Sequence, residues 1–133
     1  MDSINSGHAA SLWVGLHLLL MLVLSALVVR QRQKHKIPFG DDGVADLAQA
    51  IRAFGNASEY IPVGLAGLIV LDLAGAPALL VHIGGFVLFA GRVIHAFGLS
   101  TSGGASIPRA LGMTLTWAAY VFLAVATLFF AIV

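Results

Sequence analysis

The sequence predicts an all-α integral membrane protein, a bundle of four transmembrane helices forming one domain over residues 1–133. Hydrophobic residues fill 59% of the chain and charged residues only 10%, against roughly 25% charged in an ordinary soluble domain. Mean hydropathy is +0.98. Four apolar runs, each long enough for a hydrocarbon layer of about 30 Å, are separated by short stretches of charge, Pro and Gly. A soluble chain of this length cannot bury so much apolar surface. The net charge of +1, with no basic stripe, argues against a nucleic-acid partner. The chain has no cysteine, which excludes disulfides, thiolate metal sites and a cysteine nucleophile. Any thiol chemistry has to arrive with a ligand.

The first helix is expected over about 8–30, apolar apart from His8, Ser11, His17 and Ser25. The flank Met1–Gly7 carries Asp2 and no Lys or Arg, so this run reads as a helix of the mature protein rather than a signal peptide. Arg30, Arg32, Lys34 and Lys36 follow at once. The positive-inside rule puts them in the cytoplasm and both termini outside. Such a run is ordinarily a topology anchor that touches anionic lipid. Arg30, at the helix mouth, is the candidate for more. Pro38, Gly40 and Gly43 make the next stretch a loop.

The second helix is expected over about 46–73. It carries Arg52, Asn56 and Glu59, spaced by four and then three. That spacing puts all three on one helix face within about 10 Å of rise. Charge inside a bilayer normally faces the bundle interior and marks a site. The plainer reading is an internal ion pair that fixes packing. Seven residues is long for direct contact within one helix, so partners on other helices or on a ligand are expected. Pro62 should bend this helix. Gly64, Ala66 and Gly67 permit close helix approach. Asp72 reads as a solvated helix end.

The third helix is expected over about 78–99, with Arg92 and His95 on one face of its inner end. Their plainer readings are a snorkelling anchor and a satisfied interior histidine. His82, near the outer end, reads as packing. A Ser/Gly-rich inner loop leads to the fourth helix, about 108–132. Pro108 suits a first helical position, and Arg109 sits at the inner mouth. Trp117 and Tyr120 lie mid-helix, where they pack or line a cleft.

Arg30, Arg52, Asn56, Glu59, Arg92, His95 and Arg109 therefore all come from the cytoplasmic half. Four arginines against one glutamate suit an anionic ligand. The histidines are scattered between the two membrane faces with no metal-binding spacing. Nothing resembles the inverted repeat of a transporter.

These residues carry a resemblance. Arg52-Ala-Phe-Gly-Asn-Ala-Ser-Glu-Tyr-Ile-Pro62 resembles the second-helix Arg-Ala-x-x-Asn-x-x-Glu pattern, followed by Pro, of the MAPEG superfamily, membrane-associated proteins of eicosanoid and glutathione metabolism. Gly91-Arg-Val-Ile-His95 is similar to the third-helix motif of its prostaglandin E synthase branch, and Val29 to Lys34 to the basic exit of the first helix. The resemblance covers essentially the whole chain. It implies a homotrimer of four-helix bundles that binds glutathione between subunits, near the cytoplasmic side. Arg30, Arg52, Asn56, Glu59 and His95 then fall at glutathione-contacting positions, with Arg92 as a further contact. Arg and Asn would hold the carboxylates and Glu59 the amino group. Arg109 is the match for the arginine that stabilises the glutathione thiolate. The implied activity is a glutathione-dependent transferase or peroxidase acting on hydrophobic electrophiles in a bacterial inner membrane. Two family tyrosines are replaced, by Leu99 and Met113. Those losses favour the alternative, a non-catalytic trimer that binds glutathione or another small anion.

Overall fold

The computed structural model describes residues 8–133. The flank Met1–Gly7, expected to be an outer segment of the mature protein, lies outside the described residues. Four helices follow one another: α1 (His8–His35), α2 (Ala45–Leu73), α3 (Ala78–Thr101) and α4 (Ile107–Ile132). Each is long and apolar enough to cross a membrane.

α1 runs further than expected, so Arg30, Arg32 and Lys34 ride on its last turns. Arg, Gln and Lys are good helix formers, and cations are favourable near a helix C-terminus. The stop comes at Lys36, whose φ of 55° is left-handed. There Ile37 N–H returns to Arg32 O at 3.1 Å. The Arg32 guanidinium then donates to Ile37 O at 3.3 Å and Gly40 O at 2.9 Å, so this cation braces the loop. Lys34 and Asp46 pair across the same loop at 3.7 Å. Both are exposed, and such a pair contributes little.

α2 and α3 form the centre of the bundle and each touches every other helix; α1 and α4 do not touch. Small residues set the approaches. α3 and α4 meet back to back at Gly91 and Gly112. A Cβ on Gly112 would stand 2.5 Å from the His95 backbone nitrogen and 2.7 Å from Gly91 O. At Gly85 the Trp13 ring fills the space, 2.3 Å from where a Cβ would be. The expected approach at Gly64 exists, against Leu88, and Gly67 meets Leu123 at ordinary distance. Ala66 instead lies on the exposed face. α2 continues through Pro62 to Leu73 without a break.

Two apolar clusters make the core. The outer one joins Trp13, Leu68, Leu71, Leu88 and Leu123. The inner one joins Leu24, Ile61, Ala96 and Leu99. His17, Arg92 and Thr116, each 0% exposed, interrupt the apolar sequence of α1, α3 and α4 near the boundary between them.

Asp72 departs from its expected place. It is 5% exposed rather than solvated, and its Oδ2 accepts Ala10 N–H at 3.0 Å. It thereby satisfies an otherwise unpartnered donor in the first turn of α1 and opposes the positive end of that helix. His82 packs as expected, accepting Trp13 Nε1–H at 3.2 Å. Tyr120 packs too, donating to Tyr60 O at 2.6 Å, whereas Trp117 lies on the outer face, 58% exposed.

Gly112→Ala should destabilise the bundle by about 1–3 kcal/mol, because its new methyl meets backbone that cannot yield. Gly67→Ala should be close to neutral, since its nearest neighbour is a side chain at 3.5 Å. Thermal unfolding in detergent compares the two, and equal effects would refute a backbone-limited crossing. Asp72→Ala should lower stability by roughly 1–2 kcal/mol in the same assay. An unchanged midpoint would show that the carboxylate does not anchor α1.

Candidate anion-binding site

At the end of the bundle that carries the α1–α2 and α3–α4 loops, a cavity of about 310 Å³ opens between α2, the end of α3 and the start of α4. Arg52 and Arg109 both line it, with Gln49, Ala48, Leu99 and Ser102. Arg109 is placed by its local sequence. Ser106 caps α4, its Oγ accepting Arg109 N–H at 3.4 Å, and proline stands in the first turn. The arginine's stem lies on Gly98, where a Cβ would come within 2.8 Å of Arg109 Cγ. Its guanidinium donates to Gly104 O in the inner loop. Arg52 comes from the opposite wall. No carboxylate lines the cavity, so two cations share one concave surface. That arrangement selects for anions.

One helical turn further into the membrane, about 6 Å along the axes, lies a second cationic centre. Asn56 stands four residues after Arg52 on α2, and His95 four before Leu99 on α3. Between them Arg92 is completely buried. Its Nη2 donates to Asn56 Oδ1 at 2.6 Å and lies 2.9 Å from His95 Nδ1. Its guanidinium carbon sits 5.2 Å from the centre of the Tyr60 ring, a cation–π contact that strengthens when desolvated. Nε and Nη1 have no hydrogen-bond partner among the described residues. No carboxylate pairs with Arg92: among the described residues the only ion pair joins Lys34 and Asp46.

The expectation that Arg52, Asn56 and Glu59 all face the bundle interior holds for Asn56 alone. Asn56 is 8% exposed, whereas Arg52 and Glu59 are exposed. Helical geometry explains the split. Residues seven apart differ by only about 20° around the axis, while Asn56 is turned roughly 40° to 60° away from both. Asn56 therefore meets α3, and the two charged residues share the rim. Arg52 reaches the cavity; Glu59 has no ion-pair partner among the described residues. Arg30 is exposed on α1 and does not line the cavity. The chain thus brings Arg52 with Arg109 and Asn56 with Arg92 and His95, and leaves Arg30 and Glu59 outside both groups.

Two participants were missed in the sequence, Gln49 in the cavity wall and Tyr60 beneath Arg92, while Tyr120, expected to pack or line a cleft, packs behind Tyr60. Tyr60 follows Asn56 by four, so the same face periodicity that picked Asn56 also reached it. Gln49 precedes Arg52 by three and shared that signal. Tyr120 had only its mid-helix position.

The family model for the MAPEG family matches residues 10–129. The chain belongs to the MAPEG family. Among characterised sequences it is similar to inner membrane protein YecN of Escherichia coli strain K12, 36% identical over 121 residues, which is 91% of each chain. The YecN sequence of E. coli strain CFT073 matches to the same extent. As a MAPEG protein the chain is an integral membrane four-helix bundle, and its second-helix motif supplies residues to both cationic centres.

Proposed function

We propose that this protein binds glutathione in the Arg52–Arg109 cavity and presents its thiolate to hydrophobic electrophiles dissolved in the membrane. The observation that carries the reading is the meeting of two arginines, from α2 and α4, on a carboxylate-free cavity of about 310 Å³. Small-molecule sites begin at about that size. Arg52 would hold a carboxylate in bidentate fashion. Arg109 would lie beside the thiol. A neighbouring cation lowers a thiol's pKa, and the thiolate is the nucleophile. The thiol proton leaves to water on the cytoplasmic side, and the thiolate's electron pair then forms a C–S bond to the electrophilic carbon of a substrate arriving from the lipid, while that carbon's leaving group departs with its bonding pair and takes up a proton from water.

The outward position of Glu59 supports a homotrimer. A carboxylate facing lipid costs roughly 2.5–3.5 kcal/mol by insertion scales. A neighbouring subunit and the ammonium of glutathione would remove that cost together, and Arg30 would join the same interface. On this reading the basic end of α1 lies in the cytoplasm, both termini lie outside, and the membrane is the bacterial inner membrane, where the name of YecN places that relative.

One observation favours a second reading. Leu99 lines the cavity where other members of the family carry a tyrosine, so a hydroxyl that would hold ligand or substrate is gone. A trimer that binds glutathione or another small anion without turnover fits that wall equally.

Ultraviolet difference absorbance on adding glutathione to the purified protein at neutral pH separates the two. A thiolate band that is lost in Arg109→Ala, with binding retained by calorimetry, is expected for the enzyme. Binding without a band in the wild type would leave the non-catalytic reading. Glu59→Gln should weaken glutathione binding about tenfold if its carboxylate holds the ammonium, a difference of about 1.4 kcal/mol. Unchanged affinity would remove that role.

A further inference from the structure

We propose that Arg92 is a positioning residue that sets the hydrogen-bond polarity of the site, turning Asn56 and His95 into donors toward whatever binds there. The proposal rests on reading this region as an anion site, and it deepens that reading by naming the ligand chemistry the inner centre accepts.

The polarity follows from what each side chain is able to do. Arginine carries five N–H donors and no acceptor. Asparagine and neutral histidine each have a donor side and an acceptor side, so their orientation is a choice made by neighbours. Arg92 makes both choices. Its Nη2 meets Asn56 at Oδ1, 2.6 Å away, which leaves the Asn56 Nδ2 amino group as the free end. The same nitrogen meets His95 at Nδ1, 2.9 Å away. A donor-only partner there requires a lone pair on Nδ1, so the ring proton sits on Nε2. A doubly protonated ring would point an N–H at the guanidinium and is disfavoured twice, by geometry and by like charge.

The two free ends are the ones a ligand would meet. Among the described residues Asn56 Nδ2 and His95 Nε2 have no hydrogen-bond partner, and neither is a sealed atom. Arg92 itself is sealed: it is 0% exposed and lies against the Tyr60 ring. Three side chains expected to share ligand contact thus divide into one buried orienter and two presenting donors. Both free ends are N–H groups.

Two consequences follow for ligand and mechanism. The group seated there is an acceptor, a carboxylate, carbonyl or thiolate. An ammonium is excluded and falls to the rim, where Glu59 stands one turn away on α2. In addition, His95 cannot serve as the base that takes a thiol proton. Nε2 already carries one, and Nδ1 faces a cation. Thiol activation then depends on the field of Arg109, not on proton transfer to histidine.

The test reads the tautomer directly. The full chain, labelled with ¹⁵N-histidine and reconstituted in phospholipid bilayers, is examined by solid-state NMR, and the His95 signals are those absent from His95→Gln. The expected wild-type spectrum has a protonated Nε2 and an unprotonated Nδ1. An Nδ1–H tautomer or a charged ring in the wild type would overturn the proposal without any further variant. Arg92→Met should shift the population toward the Nδ1–H form, and Arg92→Lys, which keeps a donor, should largely restore it. A tautomer unchanged in a folded Arg92→Met would also overturn it. Wild-type protein with the expected tautomer that binds no glutathione supports the polarity assignment and sinks the glutathione reading, so the two fail separately.

Discussion

One guanidinium inside a hydrocarbon layer is the constraint to which the rest of the structure is fitted. A charged arginine at the centre of a membrane helix costs roughly 2.5–3.5 kcal/mol on insertion scales. Arg92 meets that cost without a counter-ion. It has a charge-assisted bond to Asn56, a bond to His95 and the face of Tyr60. Hydrogen bonds to charged groups are worth about 1.5–3 kcal/mol each, so two of them and an aromatic face balance the insertion cost. Each of those partners is then no longer free to turn. The polar centre is rigid because Arg92 Nη2 leaves Asn56 and His95 a single arrangement in which both accept from it.

Rigidity at the centre is passed to the cavity by backbone contact. α3 and α4 touch without intervening side chains at Gly91 and Gly112, directly beside His95. A few residues further on, Gly98 receives the stem of Arg109. The segment that carries His95 therefore also fixes where α4 starts and where Arg109 points. The two cationic centres are separate in space, yet one helix crossing positions both. The glycines of α3 place the two cationic centres as well as packing the helices.

The fold was legible because the bilayer imposes its own arithmetic. Length and apolarity located all four helices, and the ends that shifted were those where Lys, Arg and Gln allowed the helix to continue. The site was legible in part. A spacing of four and three identifies residues near one another on a helix, and Arg52, Asn56 and Glu59 do lie within a narrow arc. It does not say which edge of that arc faces a neighbouring helix, and a turn of about 40° to 60° separates buried Asn56 from its exposed companions. That angle depends on how α3 packs, which no local pattern encodes. Asp72 illustrates the same limit. A carboxylate near a helix end is ordinarily solvated, and only the return of α1 to the same level of the membrane makes it a cap. Gly112, for its part, carries no sequence mark that distinguishes it from glycines facing open space.

The division of the core along the membrane normal gives the molecule two regions with different tolerance for change. The outer half holds the larger apolar cluster, the Trp13–Gly85 contact and the Asp72 anchor. The inner half holds the arginines and a smaller cluster of short side chains. Drift in the outer half registers as the amount of folded protein. In the inner half the Gly91–Gly112 crossing and Arg92 are held as tightly, whereas the positions lining the Arg52–Arg109 cavity, Leu99 among them, change the cavity wall and not the scaffold. A lineage built on this bundle is able to exchange ligands by altering a handful of residues at one end, and Leu99 and Met113 lie at that end.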